Sequence, residues 1–165
     1  MGTSALQQAH ILGARVIGTA SPKNFEAVRR YGGIPIEYGE GLEQRIRTAA
    51  PDGVSAALDT VGTDEAINTS LSLVPDPRRI VTIAAPDRAR KDGILYIGSS
   101  NPSSAPFRAS QRIRLLQLAT DGQLEVPIGA TYQMKEARAA VTALVGRHPY
   151  GKLALLADPQ SAGNW

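Results

Sequence analysis

Through residue 99, short apolar runs alternate with segments whose apolar residues recur at intervals of three and four. The runs 15–20 (RVIGTA), 54–61 (VSAALDTV), 79–84 (RIVTIA) and 94–99 (ILYIGS) are short and nearly continuous, the pattern of strands buried on both faces. Residues 34–38 add a shorter extended piece, limited by Pro35. Helical stretches separate the runs. Thr3 or Ser4 is placed to cap a helix bearing Ala5, Ala9 and Leu12, which Gly13 ends. Ser21-Pro22 is placed to open a second, with Phe25 and Val28 inward and Gly32 as its stop. A third, 40–49, carries Leu42 and Ile46 and leads into the turn Pro51-Asp52-Gly53. A fourth, 64–74, presents Ile67, Leu71 and Val74 before Pro75-Asp76-Pro77 breaks it. Strand and helix in this order, with short connections, predict an α/β fold. It is a doubly wound parallel sheet with right-handed crossovers.

Beyond residue 99 the alternation loosens. Residues 101–106 read as a loop rich in Ser and Pro, and 108–120 as a helix with Leu115, Leu118 and Ala119 inward. Residues 124–132 are strand-like but interrupted by Pro127 and Gly129. An amphipathic helix over 135–145 and a strand over 152–157 (KLALLA) follow, then a tail over 158–165. The expected organisation is a domain over 1–123, a C-terminal segment over 124–157, and the tail.

Composition narrows the chemistry. Zero cysteines among 165 residues exclude disulfides, thiolate zinc sites and cysteine nucleophiles. Two His and one Trp leave little material for metal clusters or base-stacking platforms. Eighteen Lys and Arg against 15 Asp and Glu give a net charge of +3, and the basic residues are dispersed among acids. That distribution describes a solvated surface, not a nucleic-acid face. There is no apolar run long enough for a membrane span and no signal-peptide pattern, so the expected location is cytoplasmic. No nucleophile elbow, P-loop or zinc-protease helix occurs.

In open parallel sheets, ligands bind beyond the carboxyl ends of the strands. The first run ends in Thr19-Ala20-Ser21-Pro22-Lys23. An NAD site usually has Asp or Glu there for the ribose 2′-hydroxyl. Hydroxyls at Thr19 and Ser21 with a cation at Lys23 suit a 2′-phosphate instead; Ser21 as an ordinary cap and Lys23 as surface charge is the competing reading. The next strand ends, Asp59-Thr60-Val61-Gly62 and Ala84-Ala85-Pro86, are small enough for close approach of a ligand to the backbone, or for ordinary turns. Asp59 could orient its loop by accepting N–H bonds or act as a base.

Taken together, these stretches resemble the quinone oxidoreductase, or zinc-binding dehydrogenase-like, group of the medium-chain dehydrogenase/reductases. MGTSALQQAHILGARVIGTA (1–20) is similar to that group's segment after its glycine-rich turn, which ends LGARVIGTAS. VSAALDTVG (54–62) is similar to VDVVLDTVG, residues 118–128 to LIESGKLRPVI, and GRHPYGKLALL (146–156) to GRARGKIVL. The resemblance covers about residues 1–157. It implies a Rossmann-like sheet and an NADP(H)-dependent oxidoreductase that moves hydride to a quinone or an activated alkene such as an enone. Carried over position by position, it implies that Gly2 matches the last glycine of the phosphate turn. Ser21 and Lys23 match the 2′-phosphate contacts, with Thr19 beside them, and Tyr38 lies near the adenosine. Thr60, Val61 and Gly62 line the ribose, and Ala84, Ala85 and Ser99 lie near the nicotinamide. No catalytic residue and no metal ligand is implied within this chain, and a homodimer would form through strand 94–99.

The group's preceding strand, earlier phosphate-turn glycines and barrel-like catalytic domain would lie before Met1. The expectation is therefore a truncated cofactor-binding portion, in which strands 15–20 and 54–61 lack their common neighbour. The alternative is a nucleotide-binding or oligomerising module without turnover.

Overall fold

The computed structural model describes residues 1–98, 101–146 and 151–157. They fall into two compact units, Met1–Gln123 and a second beginning at Leu124.

The first unit runs α1 (Gly2–Ile11), β1 (Val16–Ala20), α2 (Phe25–Arg30), β2 (Gly33–Glu37), α3 (Leu42–Ala49), β3 (Ala57–Asp59), α4 (Asp64–Leu73), β4 (Ile80–Thr82), α5 (Pro86–Asp92), β5 (Leu95–Tyr96) and α6 (Ala105–Thr120). All strand pairing is parallel, as the alternation requires. β1 pairs with β2 from Val16↔Gly33 to Ala20↔Glu37. β3, β4 and β5 form a second ladder in which Asp59 faces Thr82 and Thr82 faces Tyr96. Among the described residues these ladders are separate: β1 bonds to β2 alone, and β3 to β4 alone. Within the second ladder β5 lies at the outer edge, and its Leu95 is exposed.

Two apolar clusters hold the strands. Ile67, Val74, Ile80, Ala85, Ala89 and Ile94 pack under the second ladder, with Ile67 and Ile80 fully buried. Ile36, Leu42 and Ile46 pack with Ile17 under the first. Val54 touches both clusters. Above β1 and β2, Leu6 of α1 and Val28 of α2 occupy the space over Gly18 and Gly33. A Cβ on Gly33 would come within 2.8 Å of the Leu6 side chain and 2.9 Å of Val28. Those two glycines let the helices seat on the strands.

Several expectations are corrected. Helix α1 starts at Gly2 with no side-chain cap, so neither Thr3 nor Ser4 caps it; Ser4 Oγ instead accepts from Gln8 Nε2. Its inward residues are Leu6 and the buried Gln7, and Leu12 is exposed. Ala119 of α6 is exposed too. The strands of the second ladder are shorter than their apolar runs. Residues 86–92, unassigned from the sequence, form α5. Pro86 opens it and Gly93 ends it at φ 71, the common proline-in, glycine-out signature. Helix α6 begins at Ala105, inside the segment read as loop, after a short 3-10 turn.

The second unit contains β6 (Ile128–Gln133), α7 (Ala137–Val145) and β7 (Lys152–Leu156). β6 and β7 are parallel, with a register shift between Ile128 and Ala130 where Gly129 interrupts the strand. Gln133 and Glu136 form a reciprocal capping box before α7. Among the described residues, no helix is long and apolar enough to cross a membrane.

Candidate functional site

Parallel register within each ladder brings the strand ends level: Ala20 with Glu37, and Asp59 with Thr82. The residues singled out in the sequence follow these ends, but the two ladders present different chemistry.

At the end of β1, Thr19 and Lys23 are exposed and Ser21 is half-buried. The expected Ser21 cap does not form. Its Oγ accepts from Asn24 Nδ2 at 3.3 Å and its carbonyl from the Asn24 N–H at 2.8 Å. No carboxylate belongs to residues 16–25; Glu26 is next, paired with Arg29 at 2.5 Å. One strand over stands the exposed Glu37. The Arg45 guanidinium organises the loop that follows it, donating to the carbonyls of Glu37 at 2.8 and 3.1 Å, Gly39 at 3.1 Å and Glu40 at 2.7 Å. The Gly39 N–H donates to Glu65 Oε2 at 3.2 Å. Tyr38, in this loop, is 55% exposed.

At the ends of β3 and β4, polar groups are turned inward. Asp59 is buried, and its Oδ1 accepts from the N–H groups of Val61 at 3.0 Å and Gly62 at 2.9 Å. Its Oδ2 accepts from the hydroxyl of Thr82 at 2.6 Å. Thr82, with no exposed surface, in turn accepts from Ala84 N–H at 3.2 Å and Ala85 N–H at 3.1 Å. Gly62 sits at φ 83, and a Cβ there would stand 3.1 Å from Ala84. The two loops are therefore in contact. A Cβ on Gly2, at the start of α1, would lie 3.8 Å from Thr60 Oγ1. The structure thus brings Gly2, Thr60, Val61, Gly62, Ala84 and Ala85 to one end of the unit. Ser99 lies outside the described residues.

Of the two roles open to Asp59, loop orientation is the one its bonds display. The sequence reading missed Thr82, Arg45 and Glu65. A threonine in an apolar strand was the available signal for the first, but it is also an ordinary strand former.

Surrounding charges brace the helices. Arg88 of α5 pairs with Asp92 at 2.6 Å and also reaches Asp64 and Asn68 of α4. Its guanidinium is held further above its ordinary range, chiefly by Asp92. Hydrogen bonds from Arg78 lower the pKa of Asp76 before β4, and Ser72 and then Arg47 lower that of Glu43 on α3.

Comparison with known proteins fixes the lineage. Residues 36–155 match the zinc-binding dehydrogenase family of the medium-chain dehydrogenase/reductases, and the chain belongs to it. It is 30% identical over 173 aligned positions to the spectinabilin polyketide synthase system protein NorB of Streptomyces orinoci, covering 96% of this chain and 8% of that one. Over 75 residues it is 36% identical to the trans-enoyl reductase buaC of Petromyces alliaceus, covering 44% of this chain and 21% of that one. A quinone oxidoreductase structure from Pseudomonas syringae is similar with a TM-score of 0.71 at 26% identity, over 94% of this chain and 53% of that one. A mycobacterial structure complexed with NADPH is similar with a TM-score of 0.70 at 22% identity, over 94% of this chain and 52% of that one. The chain thus spans about half the length of these solved relatives, and it has the Rossmann-like α/β fold.

The zinc in the family's name finds no donor set here. The chain has no cysteine, and among the described residues no cluster of three His, Asp or Glu could hold a metal ion. No zinc step is assigned to these residues.

Proposed function

We propose that this chain supplies the NADPH-binding part of an oxidoreductase that reduces an activated carbon–carbon double bond, or a quinone, by hydride transfer. The observation that carries the proposal is a division of polarity between the strand ends. Four N–H groups at the β3 and β4 ends are committed inward to Asp59 and Thr82. Those four N–H groups are therefore not available to a ligand, and the Thr60 hydroxyl is left to meet ribose hydroxyls. The β1 end offers the reverse: an exposed ammonium at Lys23 beside the hydroxyls of Thr19 and Ser21, with no acid on its own strand end. An anion belongs there. A dinucleotide with an extra 2′-phosphate satisfies both ends.

In this reading Ser21 and Lys23 hold the 2′-phosphate, Tyr38 lies against the adenosine, and Gly2 lets the pyrophosphate approach α1. Thr60, Val61 and Gly62 line the ribose, while Ala84, Ala85 and Ser99 border the nicotinamide. The bound cofactor supplies the hydride, and this chain's residues bind and orient it. Reduction of an enoyl group adds that hydride at one alkene carbon and a proton at the other. No residue of this chain is assigned as the proton donor. The trans-enoyl reductase relative favours an enoyl substrate, and the quinone oxidoreductase structure favours a quinone.

The test is calorimetric titration of the chain with NADPH and with NADH. Saturable binding with NADPH preferred, and that preference reversed by Ser21→Asp, supports the proposal. Equal affinity for both nucleotides in the unaltered chain overturns it. A nucleotide-binding or oligomerising module without turnover is the second reading. It predicts no NADPH oxidation with either an enoyl thioester or a quinone.

A further inference from the structure

A hydroxyl has one proton to give and two lone pairs to accept with. Thr82 uses all three, donating to Asp59 Oδ2 and accepting from the Ala84 and Ala85 N–H groups. Asp59 answers from the neighbouring strand, where it is the register partner of Thr82, and its other oxygen holds the Val61 and Gly62 N–H groups. The loop after β3 and the loop after β4 are thus joined through one buried carboxylate and one buried hydroxyl, and they touch at Gly62 and Ala84. A mere strand-forming threonine needs none of these bonds. Leaving any of the groups unpaired in this position is costly, so the arrangement has one favoured geometry.

We propose that Thr82 is a positioning residue for the cofactor site: through Asp59 it sets the spacing between the loop meant for the ribose and the loop meant for the nicotinamide. The inference deepens the NADPH reading and rests on it for the identity of the ligand. The coupling of the two loops is a separate property of the free chain.

The experiment is amide hydrogen exchange on the unliganded chain, followed by NADPH titration, for Thr82→Val and Thr82→Ser. Valine keeps the shape and removes the hydroxyl; serine keeps the hydroxyl. In Thr82→Val, protection at Ala84 and Ala85 is expected to fall by about tenfold or more, with a smaller fall at Val61 and Gly62. Ile83 and Ile97 are internal references. Their N–H groups bond to the backbone carbonyls of Asp59 and Thr82 and should stay protected. Serine should restore the original pattern. Unchanged protection at Val61 and Gly62 overturns the coupling. A uniform fall that includes Ile83 and Ile97 reduces Thr82 to a structural residue and also overturns it. If Thr82→Val does not fold, Asp59→Asn decides. Its amide keeps a weaker acceptor for Val61 and Gly62 and presents N–H to Thr82, so protection should drop most at Ala84 and Ala85, and unchanged protection there overturns the coupling. In the titration, Thr82→Val should weaken NADPH about tenfold and Thr82→Ser should recover it. Equal affinity in Thr82→Val despite altered exchange overturns the positioning role. Absence of NADPH binding in the unaltered chain, with the exchange pattern as expected, removes only the cofactor reading.

Discussion

At the end of β1 the side chains of Thr19 and Lys23 stand in solvent, and Ser21 bonds to its neighbour Asn24. At the ends of β3 and β4, Asp59 and Thr82 are buried and bonded to four backbone N–H groups of the loops that follow. Both ends follow parallel strands of similar composition. The first keeps its functional groups available for a ligand and contributes little to holding the fold. The second uses its functional groups to hold its own backbone. Substitutions at the second should register as stability and geometry, and substitutions at the first as ligand choice.

The largest effect should come from Gly62→Val. It places a Cβ against Ala84 in a backbone conformation that branched side chains avoid, at an expected cost of about 2–4 kcal/mol in urea melting. A wild-type midpoint would show that the two loops are not in contact. Thr82→Val should cost about 1–3 kcal/mol, because it strands one carboxylate oxygen and two N–H groups of a buried network. Lys23→Ala should invert this behaviour: a change of stability within about 0.5 kcal/mol, but about tenfold weaker NADPH with NADH unchanged. Equal losses for both nucleotides would erase the contrast between the two ends. The smallest effect belongs to Glu43, an exposed carboxylate away from both ends. Its pKa lies below its ordinary 4.5 in the folded chain. The stability it adds is fully present above 4.5 and is lost as pH falls through the lowered folded value. Glu43→Gln should therefore lower stability slightly at neutral pH, leave it unchanged below the lowered folded value, and so flatten the acid limb of a stability–pH curve. A change confined to acid pH would contradict that sign.

Much of the α/β order was legible because parallel strands leave nearly continuous apolar runs, as RVIGTA and RIVTIA do, but β1 is only half-buried and not the strand covered on both faces that its run suggests. Helix α5 was not legible by periodicity, since DRARKD carries one apolar residue, Ala89, and only the flanking Pro86 and Gly93 mark it. Thr19, Ser21 and Lys23 after β1 could be picked out because polar groups at a strand end interrupt no core pattern. The bond between Asp59 and Thr82 could not, because residues 23 positions apart meet only once strand register is known. Arg45 was hidden for the same reason: its three carbonyl partners lie in a loop whose path the helix periodicity does not describe.

The inward commitment of the loop amides also has a bearing on inhibitors. A competitor that carries an acid where the nicotinamide is proposed to lie would find the Val61, Gly62, Ala84 and Ala85 N–H groups already bonded to Asp59 and Thr82, and none of these four would compensate its desolvation. One that carries an amide or a urea at that position, and a sulfonate or phosphonate reaching toward Lys23, has the opposite fortune. Selectivity between these two molecules would report the orientation of a nucleotide in the crevice before any complex is crystallised.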